Sequence, residues 1–279
     1  MRDLSLAISP CPNDTFIFEA LIHSRIPNNH FSVHPVFHDV EELNQLASQQ
    51  AVDIIKISAA FYPQIQNEYE ILSSGGAIGF GCGPLLVSRE NLNPEELTSK
   101  KVAMPGERTT ANLLLSLALP AVQNKTAVRF DLIEREILNS NFDAGVIIHE
   151  NRFTYENLGL KKILDLGEWW ESKFNLPIPL GIIVVKRNLD TDLKKEIQKA
   201  IRQSVEFAFA NREIVMPFVR RHTLAMEDDV MIRHIDTFVN AFSVDLSEPG
   251  RSALMKLFDE GCRLGWMPPV ASDKIFVSE

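Results

Sequence analysis

The sequence predicts an α/β fold of two lobes, with two strand-like segments linking them and a helical C-terminal part packed back on the first lobe. Three observations predict it. Two series of short apolar strands, each followed by a helical pattern, occupy residues 4–72 and 101–164. Strand-like runs at 85–88 and 180–185 separate and rejoin the two series. From Asp192 onward only helical spacing is found, as in Leu193, Ile197, Ala200, Ile201, Val205 and Ala208. A tail this apolar must bury its stripe, and the first lobe is the surface open to it. The expected division is 1–88 plus 187–279 for the large lobe and 89–186 for the small one. Hinges are expected near 85–90 and 180–187, with the ligand cleft between the lobes.

Taken in order, Leu4 to Ile8 reads as a strand. Ser9-Pro-Cys-Pro-Asn13-Asp14-Thr15 is a turn opening a helix to about His23, with Asn13 or Asp14 as its cap. Residues 31–36 form a second strand whose far end Pro35 weakens. Val40, Leu43, Leu46 and Ala47 mark an amphipathic helix. Asp53 to Ser58 is a third strand, with Ser58 placed to cap the next segment. A short strand holds Ile71 and Leu72. The glycines at 75, 76, 79, 81 and 83 lack the ending of a phosphate loop. They read instead as backbone that lets a ligand or a neighbouring strand come close.

In the second series, Lys101 to Met104 is a strand. Pro105-Gly106 to Thr109-Thr110 is a turn, and a helix runs to about Leu119. A strand near 128–130 and a helix over 133–139 follow. The apolar run 144–148, rich in β-branched residues, is a buried parallel strand. His149 and Glu150 come directly after it. Gly167 to Trp170 opens another helix, the two tryptophans reading as core or hinge packing ahead of a lid over an aromatic ligand.

Composition narrows the function. The 279 residues are 45% hydrophobic and 23% charged, an ordinary globular balance. A net charge of −9 argues against a nucleic-acid binder, which needs a basic face. No apolar run is long enough to span a membrane, and no secretory pattern opens the chain. Cys11, Cys82 and Cys262 form no CxxC pair, which excludes a zinc knuckle or disulfide framework and suits a reducing cytoplasm. His30, His34 and His38 share a strand face, but successive ones lie about 13 Å apart in an extended chain, too far for one metal. His222 and His234 fall on expected helices without recognisable partners. No G-x-S-x-G elbow or H-E-x-x-H is present.

Ligands of open α/β sheets bind beyond the carboxyl ends of the strands. His149 stands at such an end, and imidazole trades protons near neutral pH; a histidine merely capping the strand is an equal alternative on position alone. Three strand-to-helix turns, Ser9–Thr15, Lys56-Ile57-Ser58 and Gly106–Thr110, offer hydroxyls and amides at helix starts that favour an anion. Singly, Ser58 and Thr109 read as caps. Together the turns suggest a site for a carboxylate on a small hydroxylated molecule. Lys56 either pairs with that anion or reaches solvent. Cys11, at a helix start, is either activated or simply buried.

Several long motifs carry a resemblance. They are Ser9-Pro-Cys-Pro-Asn-Asp-Thr-Phe-Ile-Phe18, Lys56-Ile-Ser58, Ser74-Gly-Gly76, Gly83-Pro-Leu85, Pro105-Gly with Thr109-Thr110, His149-Glu-x-Arg-Phe-Thr-Tyr155 and Leu176-Pro-x-Pro-Leu-Gly181. The chain resembles the 1,4-dihydroxy-6-naphthoate synthases of the futalosine route to menaquinone over nearly its whole length. The resemblance implies a type II periplasmic-binding-protein-like fold. It also implies a lyase that splits cyclic dehypoxanthinyl futalosine without metal or organic cofactor. His149 would be the proton acceptor, with Lys56, Ile57, Ser58, Thr109, Thr110, Cys11 and Asn13 at the substrate. A cytoplasmic monomer or homodimer is the expected form. A chorismate dehydratase of the same pathway should lack the opening and histidine motifs, and a solute-binding protein should carry a secretion signal or lipid-anchored cysteine.

Overall fold

Parallel strands whose C-terminal ends face one crevice organise the molecule, seen in a computed structural model whose described residues are 2–27, 30–223, 227–271 and 274–278. Strand β1 (Arg2–Ile8) leads into helix α1 (Pro12–Ile22), then β2 (Phe31–Phe37), α2 (Val40–Ser48) and β3 (Ile54–Ser58). β1 is flanked by β2 and β3, both parallel to it. Pro35 is accommodated because β2 is an edge strand, where a missing N–H leaves no ladder bond unmade. A 3-10 turn (Ala59–Gln64) and the short strands β4 (Tyr69–Ile71) and β5 (Ala77–Gly79) follow.

The chain then crosses to a second sheet through β6 (Leu85–Ser88) and β7 (Val102–Met104). Helix α3 (Thr110–Ala118), β8 (Lys125–Ala127), α4 (Ile133–Leu138), β9 (Ala144–Ile147), β10 (Lys161–Asp165) and α5 (Leu166–Phe174) complete that lobe. Its strand order is β10-β6-β9-β7-β8. β9 pairs parallel with β7 on one side and antiparallel with β6 on the other. The chain returns through β11 (Ile178–Lys186), which runs antiparallel to β3, β4 and β5 in the first sheet.

The sheets therefore draw the lobe boundaries earlier than the sequence suggests. Residues 85–88 are a full strand of the second sheet, paired on both edges, and 178–186 are a full strand of the first. The crossings are the short stretches 80–84 and 175–177. Such apolar runs read as connectors only because burial on both faces hides any strand periodicity. Gly83 lies in one crossing against Gly167, so a Cβ on either would meet the other's backbone. Trp170, fully buried, anchors the other by donating from Nε1 to the Pro177 carbonyl, 3.0 Å.

The strand expected at 128–130 is displaced. β8 ends at Ala127 because its register follows β7, and Val128 N–H makes the last bond to Met104 O, 2.9 Å. Phe130 instead opens a 3-10 turn (Phe130–Leu132).

After β11 come α6 (Thr191–Ala210), α7 (Arg212–His222), α8 (Asp228–Phe238), α9 (Ala241–Val244) and α10 (Ser247–Arg263). α6 packs on α1, where Ser204 Oγ donates to Ile17 O at 2.6 Å and accepts from Leu21 N at 3.1 Å. Among the described residues no helix is long and apolar enough to cross a membrane.

Candidate active site

The C-terminal ends of β1, β3, β7 and β9 converge on one cleft between the sheets, holding about 720 Å³ of atom-free space with its mouth included. Its walls include Ser9, Asn13 and Asp14 after β1, Lys56, Ile57 and Ser58 on β3, Thr109 and Thr110 after β7, and His149 after β9. The structure thus brings together every residue expected at the site except Cys11. That cysteine is the N-cap of α1, and its thiol lies buried outside the cleft lining. Burial, helped by the Glu150 carboxylate, pushes the Cys11 thiol well above its usual range, which disfavours the thiolate.

Polar groups at the start of α1 are committed to one another. Asp14, not acting as a cap, accepts from Ser9 N at 3.2 Å, Ser9 Oγ at 2.8 Å and Asn13 Nδ2 at 2.8 Å. Lys56 Nζ adds an ion pair to Asp14 Oδ1 at 2.9 Å and a bond to Gly75 O at 3.3 Å. Lys56 therefore neither reaches solvent nor stands as a lone cation; one of its three donors is left unspent. Gly181 makes this possible, since a Cβ there would sit 2.8 Å from Lys56 Cε.

The start of α3 differs. Thr109 caps it, Oγ1 accepting from Asn112 N at 3.3 Å and donating to Gly106 O at 2.9 Å. Thr110 Oγ1 ties the lobes together, donating to Leu180 O at 2.8 Å and accepting from Ala60 N at 3.1 Å. The main-chain N–H groups of Thr110 and Ala111 donate to no protein atom among the described residues. They are the first-turn donors that every helix leaves open, and both residues line the cleft. Ser58 caps nothing. Its Oγ accepts from Asn44 Nδ2 at 3.2 Å and its N–H donates to Asn44 Oδ1 at 3.0 Å, so its hydroxyl proton is spare.

His149 opens a 3-10 turn (His149–Phe153) with φ +57°, a left-handed conformation unusual for a residue with a Cβ. Such strain costs on the order of 1–3 kcal/mol and persists where surroundings enforce it. The same turn is tied down by Arg152, which donates to Gly83 O and pairs with Asp165 Oδ2 at 3.5 Å. Neither His149 ring nitrogen has a protein hydrogen-bond partner among the described residues. Burial lowers its pKa below the ordinary 6.5, opposed by the Glu150 and Asp14 carboxylates. A lowered pKa favours the neutral ring, whose lone pair is what a base needs.

His234, without a recognisable partner in the sequence, lies on α8 near-parallel to His149, ring centroids 6.0 Å apart and planes within 12°. The signal was present: His234 lies on the same buried stripe as Val230, Met231, Ile235 and Phe238. His222 stacks on Phe37 away from the site, at 4.3 Å. Among the described residues no group of His, Cys, Asp or Glu side chains is arranged to hold a metal ion.

This architecture is that of the two-lobed periplasmic-binding-protein-like proteins, with a basic group aimed into the shared cleft. At 12–13% identity, sulfonate-binding proteins share it. One example is the alkanesulfonate-binding protein of Xanthomonas axonopodis, at TM-score 0.73 over 99% of this chain and 96% of that one. A crystal structure from Archaeoglobus fulgidus superposes at TM-score 0.90 with 32% identity, over 95% and 98% of the two chains. The model of the menaquinone biosynthesis family matches residues 4–262, and the chain belongs to that family. It is 42% identical to the 1,4-dihydroxy-6-naphthoate synthase of Thermus thermophilus, over 96% of this chain and 97% of that one. The enzyme of the same name from Streptomyces coelicolor is 38% identical, over 98% and 97%.

Proposed function

We propose that the chain is a 1,4-dihydroxy-6-naphthoate synthase, a lyase that splits cyclic dehypoxanthinyl futalosine with His149 as general base. Family membership and 38–42% identity to two enzymes of that name support the activity. The observation that carries the mechanism is the His149 imidazole, unpartnered at both nitrogens among the described residues, in a cleft walled by both sheets.

The substrate carboxylate binds at the first turn of α3, on the open N–H groups of Thr110 and Ala111, with the Ser58 hydroxyl and the spare Lys56 donor beside it. The α1 terminus is the poorer anchor because Asp14 already supplies its anion. With the carboxylate fixed, His149 takes a proton and the spiro-fused sugar ring breaks down, driven by aromatisation of the product. General-base help is worth about a hundred- to ten-thousandfold in rate.

The base works unprotonated, so kcat/KM falls as pH drops through the His149 pKa. Burial lowers that pKa, which places the acid limb below an ordinary histidine's 6.5. The test is incubation of the purified protein with cyclic dehypoxanthinyl futalosine while naphthoate absorbance is followed. Product growth is expected; substrate bound and recovered unchanged would mark a binding protein instead.

A further inference from the structure

General bases in enzymes are usually oriented by a third group that hydrogen-bonds the base. Among the described residues, His149 has no such bond, and its ring is held by packing: Phe130 meets it edge-on at 5.0 Å, and His234 lies near-parallel to it, with ring centroids 6.0 Å apart. The two histidines come from different lobes. His149 follows β9 of the second sheet, whereas His234 is on α8, which packs against α1 of the first lobe.

His234 is itself fixed. Asn13 Nδ2 donates to Asp14, which turns Asn13 Oδ1 toward His234 Nε2 at 3.0 Å. The proton of His234 therefore sits on Nε2. Its Nδ1, wholly buried, has no partner and faces Glu150 Oε2 at 3.9 Å, beyond hydrogen-bond reach. A fully buried imidazole with one satisfied nitrogen and a flat face on the catalytic ring is poorly explained as core filler. One turn face away, the Arg233 guanidinium covers the Phe153 ring at 5.4 Å, so α8 grips the His149 turn at two adjoining points.

We propose that His234 is a positioning residue for the base: delivered from the opposite lobe, its ring is the surface against which His149 is aimed. Closing the lobes and readying the base are then one event. In an open form His149 would lose its backing, gain water on that face and rotate freely. The same residue holds Asn13, a cleft-wall side chain, in a single amide orientation. This rests on the reading of His149 as the base.

The groups that face His149 are Glu150 on its own turn, Asp14 on α1, Lys56 on β3, Asp39 before α2 and His234 on α8. Those facing His234 are His149 and Glu150. None of the charged groups changes when His234 is replaced, so a moved pH limb would report access of water to His149.

The experiment compares kcat, KM and the acid limb of kcat/KM in His234→Ala, His234→Phe and His149→Ala, with the full chain and cyclic dehypoxanthinyl futalosine. His234→Ala is expected to lower kcat on the order of ten- to a hundredfold, the scale of a misplaced catalytic group. Its acid limb should move to higher pH as the His149 ring is rehydrated. His234→Phe restores the flat face, and is expected to recover most of the lost kcat and the limb position. Its KM should stay raised because Asn13 has lost its bond. Wild-type kcat and an unmoved limb in His234→Ala overturn the proposal, as does a kcat loss that simply tracks a fall in Tm. Should the alanine variant not fold, His234→Leu fills the volume without a flat face and is read by the same two outcomes. If His149→Ala is inactive while His234→Ala is normal, only this proposal fails. If His149→Ala turns over normally, the base assignment itself fails.

Discussion

Lys56 Nζ and Asp14 Oδ1 form an ion pair of 2.9 Å on the cleft wall, with 8% and 1% of their side chains exposed. The pair cancels the charge at the start of α1, which on the proposed reading leaves the first turn of α3, with its main-chain dipoles, as the anchor for the substrate anion.

Breaking that pair from one side strands a buried charge. Lys56→Met is expected to lose about 3–5 kcal/mol of stability. The double variant Lys56→Met with Asp14→Asn should lose less than the sum of the two single ones, since no charge is left alone. Urea unfolding of the four proteins checks it, and strict additivity would contradict the coupling.

Thr109→Ala removes the cap of α3. A lost N-cap costs about 0.5–2 kcal/mol, and the first turn should fray where the carboxylate docks. The expected result is a raised KM with kcat little changed, read from steady-state kinetics. An unchanged KM would move the carboxylate away from α3.

Glu134 is a half-buried carboxyl on α4, with Oε2 accepting from Asn151 Nδ2 at 2.8 Å and Oε1 unpartnered. Burial first, then the nearby Glu150 carboxylate, raises its pKa from 4.5 to about 7. The sign follows directly. A raised folded pKa contributes stability at low pH, and that contribution is lost as pH rises through about 7. Glu134→Gln should therefore be more stable than the wild type at pH 8 by on the order of 1 kcal/mol, with a smaller gain at pH 6. Chemical denaturation at both pH values decides; equal differences would contradict the shift.

The strands that build the cleft were legible because each is short, apolar and followed at once by chemistry, as Ile57-Ser58 and Ile148-His149 are. The three turns could be read for the same reason. Partnerships between distant residues could not. Nothing local to Lys56 announces Asp14, and nothing local to His149 announces His234, because both contacts depend on how α1 and α8 dock. The lobe boundaries slipped on the same account: Leu85–Ser88 and Ile178–Lys186 look alike as apolar runs, and only pairing assigns each to its sheet. Asp14 and Ser58 read as caps from position, whereas their side chains are drawn to Lys56 and Asn44.

The base assignment is tested most directly by His149→Asn, with turnover of cyclic dehypoxanthinyl futalosine and its binding measured on the same protein. A fall of about a hundred- to ten-thousandfold in kcat is predicted, with substrate affinity nearly unchanged. Turnover at the wild-type rate in the folded variant would contradict the account.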